Sequence, residues 1–337
     1  MVRKTSKSRG SSVIAALIVL CALIGYGLSE WKLLPDTMEA VPASRQAAEQ
    51  GMAPEKITLP EKGEPVRMLT MNAGNYFVPE DPRRSNFQVK YKPVEAREAI
   101  AELVRQSGAE IVGLSEMGGE AAVNDLQMRL KRKGVQLPHK VLVMRDGEDR
   151  GLVLLSKYPI VSNRSVTDMP VSGEPKRRKT MLRGILDATV KMPDSRQFRL
   201  IGVHLKSRLS RDGSAEETRR REAYALRDYL NGVMASQDGM PLLLYGDFND
   251  GPADSSVQVI QGPAKTDSRL NRLKPRDSRG ETWTIYYEDG DTYHSFDHIF
   301  INNTLKKRLG RKPPMGVIDT PPSSQASDHR GIWVELR

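Results

Sequence analysis

The chain reads as an α/β layered domain over residues 66–337, on three observations. Apolar runs of strand length recur along it, two amphipathic helical periods lie between some of them, and the remaining connections carry turn signals instead of helices. Connections without helices join neighbouring strands directly, so many strands are expected to be antiparallel. The runs fall at residues 66–71, 111–114, 141–144, 152–155, 185–190, 200–203, 242–245, 296–301 and 332–336, each bounded by Gly, Asp, Asn or Pro. Between the first two, residues 94–106 place Ala96, Ala99, Ile100, Leu103 and Val104 on one helical face. Residues 216–233 form the second helical period, with the stripe Ala223, Leu226, Leu230 and Val233. Ser214 and Glu217 have capping-box spacing at its start.

The N-terminus has a different character. Residues 1–10 form a basic end with Arg3, Lys4, Lys7 and Arg9, and residues 11–29 carry no charge. Such a stretch, at about 1.5 Å per helical residue, spans about 30 Å, the thickness of a bilayer's hydrocarbon core. The flanking cations keep that end cytoplasmic, so residues 11–29 are expected to be a single-pass signal-anchor that holds the domain at 66–337 outside the cytoplasm. A cleaved signal peptide is the rival reading, but Ser29-Glu30-Trp31-Lys32 follows where a small-x-small cleavage site should stand. Residues 30–65, rich in Pro, Ala, Glu and Gln with no apolar period, are expected to form a linker.

The single cysteine, Cys21, lies in the apolar segment, so the chain holds no intrachain disulfide. Formal net charge is +10, and about +7 remains once residues 1–30, with four cations and one anion, are set aside. That excess suits a phosphate-bearing partner or an anionic membrane surface. A monomer is expected.

Polar residues with hard-ligand chemistry recur at the ends of the apolar runs. Asn72 ends the first, Glu116 the second and His204 the run at 200–203, while Asp247 and Asn249 follow 242–245 in GDFND. Asp297 and His298 open the run at 296–301, and Asp328 and His329 precede the last. Singly, each has a plain structural reading: an Asx turn, a surface carboxylate or a hydrogen-bonded core histidine. Together, carboxylates gathered at strand ends would repel one another unless a cation sat among them. Oxygen ligands without thiolates or a paired-histidine spacing favour Mg²⁺, Mn²⁺ or Ca²⁺ over Zn²⁺. Histidines then remain for proton handling or for countering negative charge.

In this order the set Asn72, Glu116, His204, GDFN at 246–249, DHIF at 297–300 and SDH at 327–329 resembles the endonuclease/exonuclease/phosphatase superfamily, over about residues 66–337. The segment GLVLLSKYPI at 151–160 is similar to a Gly-x-x-Leu-Ser-(Arg/Lys)-x-Pro-Ile stretch of the same family. The resemblance implies a four-layer sandwich, DNase I-like, of two packed, mostly antiparallel sheets flanked by helices. It implies a Mg²⁺- or Mn²⁺-dependent phosphoesterase, with Glu116 as metal ligand and Asn72 and Asp328 completing or supporting its shell. By the same resemblance Asp247 orients or deprotonates the attacking water and Asn249 holds a phosphate oxygen. His329 contacts the phosphoryl group, Asp297 fixes its tautomer, and His204 hydrogen-bonds the phosphate or protonates the leaving oxygen. His298 stands where several branches carry an aromatic or aliphatic residue, and packing is its expected role.

Basic clusters at 131–133, 176–179, 219–221 and 306–312 read as solvated faces. Lys206 and Arg208 directly follow His204 and are the candidates for holding a substrate's flanking phosphates. Nuclease action is the first expectation, and a lipid-headgroup phosphodiesterase or phosphatase the second. A non-catalytic scaffold of the same fold should have lost at least one of Glu116, Asp247, Asn249 or His329, and all four are present.

Overall fold

The computed structural model describes residues 63–79, 90–171, 179–208, 214–236 and 239–337. All of them belong to the unit Gln50–Arg337. The expected anchor at 11–29 and most of the linker at 30–65 lie outside the described residues, among which no helix is long and apolar enough to cross a membrane.

In chain order the strands are β1 (Val66–Tyr76), β2 (Ile111–Met117), β3 (His139–Val143), β4 (Gly151–Ser156), β5 (Ile160–Asn163), β6 (Pro170–Val171), β7 (Lys179–Thr180) and β8 (Leu186–Lys191). They continue with β9 (Gln197–His204), β10 (Leu242–Asp247), β11 (Asn271–Arg272), β12 (Ile285–Tyr287), β13 (Thr292–His294), β14 (Asp297–Ile301), β15 (Met315–Val317) and β16 (Ile332–Leu336). The helices are α1 (Val94–Ser107), α2 (Glu120–Arg132), α3 (Ala215–Ser236), α4 (Ser255–Gln261), α5 (Asn303–Leu309) and α6 (Pro322–Ala326).

Two six-stranded sheets result, with orders β15-β16-β1-β2-β4-β3 and β11-β14-β10-β9-β8-β5. Their facing sides meet in an apolar core that includes Met68, Ile111, Leu154, Phe198, Leu243 and Ile299. A second core joins the outer side of the first sheet to α1 and α2 through Leu69, Val112, Ile100, Leu103 and Leu126. A third joins the other sheet to α3 and α4 through Ile201, Leu244, Leu226, Leu230 and Val257. Full burial of each such side chain contributes about 1.5–3 kcal/mol, so the three cores hold the layers together.

Every expected strand and both expected helices are present. The helix α1 ends at Gly108, whose left-handed backbone (φ 63°) returns an N–H to the Arg105 carbonyl. The sequence reading left out α2, although Ala122, Val123, Leu126 and Leu130 line its buried face. Its charged residues, Glu120, Asp125, Arg129 and Lys131, interrupt the apolar run, and Arg129 is itself buried against Asp125. The sheets are also mixed: β1 runs parallel to β2 and β9 parallel to β10, while every other adjacent pair in the two sheets is antiparallel.

Candidate active site

The two parallel pairs explain why distant residues meet. Parallel strands end at the same edge of a sheet, so β1 and β2 deliver Asn72 and Glu116 together, and β9 and β10 deliver His204 opposite Asp247. Antiparallel neighbours begin where these strands end. Asp297, first residue of β14, pairs across from Asp247, and His329 precedes β16, which runs back along β1.

Backbone geometry turns the side chains inward. Glu116 and Asn249 adopt left-handed conformations at φ 57° and 52°, which β-strand and loop residues with a Cβ adopt only where surroundings enforce them. Gly246, at φ 139°, passes so close to β9 that a Cβ would sit 1.9 Å from the Val203 carbonyl oxygen. No other residue type fits before Asp247.

Asp247 is the hub. Its Oδ2 accepts from Asn72 Nδ2 at 3.0 Å, and its Oδ1 accepts from the Asn249 N–H at 2.8 Å. His204 Nε2 lies 3.6 Å from Asp247 Oδ2 and 3.8 Å from Glu116 Oε1. His329 Nε2 lies 3.8 Å from Asp247 Oδ2, while its Nδ1 is 2.8 Å from Asp297 Oδ2. Glu116 Oε2 accepts the Asn75 N–H at 3.0 Å. The Asn249 amide donates to the Leu205 carbonyl at 3.0 Å, which leaves its second hydrogen for another acceptor.

Burial and neighbouring charge push the titrations apart. Burial raises the Asp247 carboxyl to about 7, against the pull of His329 and the Asn72 hydrogen bond. Burial opposes charge on His329, but Asp297 and Asp247 outweigh it and hold the ring at about 10, an imidazolium. Burial, then the charges of Arg183, His329 and Arg150, drive His204 well below its ordinary value, so that ring is neutral. His298, lowered to about 4 by burial, bonds the Asp250 carbonyl at 2.9 Å and packs edge-on to Phe248, in agreement with a packing role.

The donor set fits a hard divalent cation. Glu116 and Asp247 converge on the neutral His204 ring, while the cations beside them, Arg150 Nε at Glu116 and His329 Nε2 at Asp247, each stand 3.8 Å off, so these carboxylates suit a hard cation placed between them. Asp247, Asp297 and His329 also offer ligand atoms within 4.8 Å of one another. There His329 pairs with Asp297 Oδ2 at 2.8 Å and stands 3.8 Å from Asp247 Oδ2. Asn72 directs one amide group to Asp247 and accepts the Gly74 N–H, so it supports that carboxylate. Asp328 is exposed at the rim, beside Ser327 and the Lys92 ammonium that bonds the Gly74 carbonyl.

Lys206 lies beside the site, its N–H bonded to the buried Glu222 carboxylate at 2.7 Å. Arg208 donates to the Asn249 carbonyl at 3.0 Å, to Asp250 Oδ1 at 3.1 Å and to Asp254, so its edge is engaged and its flat face is left. Arg183 escaped the sequence reading. It is buried, its Nε and Nη1 have no hydrogen-bond partner, and it is the foremost charge acting on His204. Its one signal in the sequence is an arginine directly before a glycine and a buried strand, and many structural arginines share that. His204 Nδ1 is likewise buried without a partner, and the sequence offered no carboxylate for it.

The comparisons with known proteins agree with this fold. Solved structures of similar fold include the human Nocturnin catalytic domain with bound sulfate anion (18% identity, TM-score 0.54, covering 81% of this chain and 94% of that one). A truncated Caenorhabditis elegans TDP2 aligns at 17% identity and TM-score 0.55 over 82% of this chain and 98% of that one. Sphingomyelinase C from Streptomyces griseocarneus aligns at 18% identity and TM-score 0.55 over 82% of this chain and 100% of that one. No curated protein matches the sequence. The sequence matches the Endonuclease/Exonuclease/phosphatase family over residues 85–329, most of its length, and the chain belongs to that family.

Proposed function

We propose that the chain is a divalent-metal-dependent phosphodiester hydrolase and, first among such enzymes, a nuclease. The observation that carries this reading is the convergence of Glu116, His204, Asp247, Asp297 and His329 on one end of two sheets, with Asp247 within 3.8 Å of both imidazoles. Glu116, supported by Asn72 and by Asp328 at the rim, would hold Mg²⁺ or Mn²⁺, which when bound supplies charge neutralisation at the phosphoryl oxygens.

The chain's own groups supply the rest. Asp247, fixed through both oxygens, holds the attacking water in line and takes its proton, and a carboxyl that titrates at about 7 is a competent base near neutrality. His329, kept cationic and oriented by Asp297, faces the phosphoryl group and stabilises its growing negative charge. Neutral His204 donates a hydrogen bond to a phosphoryl oxygen; its depressed titration suits it poorly to act as an acid toward the leaving group. Arg183, with buried unpartnered donors, and the second amide hydrogen of Asn249 complete the cradle.

Lipid-headgroup hydrolysis is the second reading, favoured by the apolar stretch at 11–29, which on this proposal tethers the domain to a membrane on the extracytoplasmic side. The test is hydrolysis of DNA, RNA, sphingomyelin and phosphoinositides by the full chain with Mg²⁺ or Mn²⁺ and with a chelator. Chelator-sensitive cleavage of one of these supports the reading; no cleavage of any phosphoester refutes it.

A further inference from the structure

The hairpin β12–β13 joins the catalytic cluster directly, because Ile285 bridges to His329. Its two faces differ. Tyr286 pairs across from Tyr293 on the outward face, and their rings lie 4.8 Å apart. Trp283 extends the row edge-on to Tyr293 at 5.0 Å, with the Arg330 guanidinium 3.9 Å from the Trp283 ring centre. Tyr293 is 55% exposed and Tyr286 37%, so these two rings face solvent, while Trp283 is half-buried. On the inward face Tyr287 sits by Phe296 at 6.2 Å, and the flat face of Arg208 covers Phe296 at 4.6 Å.

Charge decides what these rings receive. The apex reads Glu288-Asp289-Gly290-Asp291, with all three carboxylates exposed. A hairpin entering a bilayer would carry those carboxylates in first, which opposes membrane insertion. The cleft itself carries cations: Arg150 Nε stands 3.8 Å from Glu116 Oε2, and Arg208 donates to the Asn249 carbonyl at 3.0 Å. A duplex has phosphates along both strands, and one row would run against the acidic apex. A single strand can lay its one row of phosphates along the cations and turn its bases toward the rings. Resting on the nuclease reading above, we infer that the exposed Tyr293–Tyr286 pair, with Trp283 edge-on at its end, is a stacking platform for unpaired bases. The substrate class is therefore single-stranded nucleic acid.

The test is fluorescence anisotropy on the full chain in chelator, so that nothing is cleaved. The probes are a labelled single-stranded oligonucleotide, the same strand without bases, the duplex, and phosphatidylcholine–sphingomyelin vesicles. The wild-type chain is expected to prefer the base-bearing strand over the base-free one by about 10-fold or more, the effect of one stacked base. The double variant Tyr286→Ser, Tyr293→Ser should lose most of that preference, while Tyr293→Phe keeps it. Equal binding of the two strands by the wild-type chain overturns the platform, and this comparison decides even if the double variant does not fold. Tighter binding of the duplex, or of vesicles through the two tyrosines, also overturns it. A parallel assay with Mg²⁺ on bis(4-nitrophenyl) phosphate separates the two readings. Turnover without base preference removes the platform alone; base preference without turnover removes the hydrolase reading alone.

Discussion

Strand β9 carries two buried ionisable side chains, Arg199 near its start and His204 at its end, and their surroundings are opposite in kind. Arg199 Nε bonds Asp187 Oδ1 at 2.8 Å, a second contact runs from its Nη2 to Oδ2, and the Tyr229 hydroxyl donates to the same carboxylate at 2.5 Å. The cation, its counter-charge and the supporting donor are all paired inside the protein. Around His204 the pairing is incomplete among the described residues: its own Nδ1, Asp297 Oδ1 and two Arg183 nitrogens are buried without partners, and the cations beside Glu116 and Asp247, Arg150 and the His329 ring, stand 3.8 Å off. Buried polar groups left without partners cost free energy, so a fold keeps them where something else completes them. One end of β9 serves stability and the other is prepared for a ligand.

That contrast breaks most sharply at Arg199. Arg199→Met leaves Asp187 buried and unpaired, and should lower stability by about 3–5 kcal/mol in a denaturant titration. Turnover per folded molecule should stay close to normal, since the residue is remote from the cleft. At the other end the signature reverses. His204→Ala or Asp247→Ala should fold with wild-type circular dichroism yet lose about 10²–10³ in rate, the cost of one preorganised contact to the developing charge. Near-normal rates in a folded variant would remove these residues from the chemistry.

A smaller effect lies in pH. The titration of His329 is raised from 6.5 to about 10 in the folded chain, so the folded state holds a proton that the unfolded chain releases earlier. The stability from that ion pair is complete below about pH 6.5 and disappears as pH rises towards about 10. The melting temperature of the metal-free chain should therefore fall across that window, and Asp297→Asn should flatten the fall.

The same contrast accounts for what was legible in the sequence. Strands such as 66–71 and 242–245 show themselves because burial on both faces demands continuous apolar runs, and α1 and α3 because one face does. The residues at the ends of those strands were legible as candidates, since polar groups at strand ends stand out against apolar runs. Their convergence was not, because it depends on which strands run parallel, and β1 with β2 or β9 with β10 carry no local mark of direction. Arg183 and Tyr287 stayed hidden for a related reason: an arginine in a loop and a tyrosine in a short hairpin acquire meaning only from what the fold sets beside them. Arg208 stood out in the sequence for following His204, but its bonds to Asn249, Asp250 and Asp254 could not be foreseen from spacing.

Glu116 tests the account most directly. Removing a charge from the paired end destabilises, whereas removing one from the end that awaits a cation should not. Melting of the full chain, with and without Mg²⁺ or Mn²⁺, compares the wild type with Glu116→Gln. The wild type should gain stability from the metal, and Glu116→Gln should start no less stable in chelator and gain little or nothing. Equal stabilisation of both by the metal would mean that the cation binds elsewhere and that these carboxylates were not gathered to hold it.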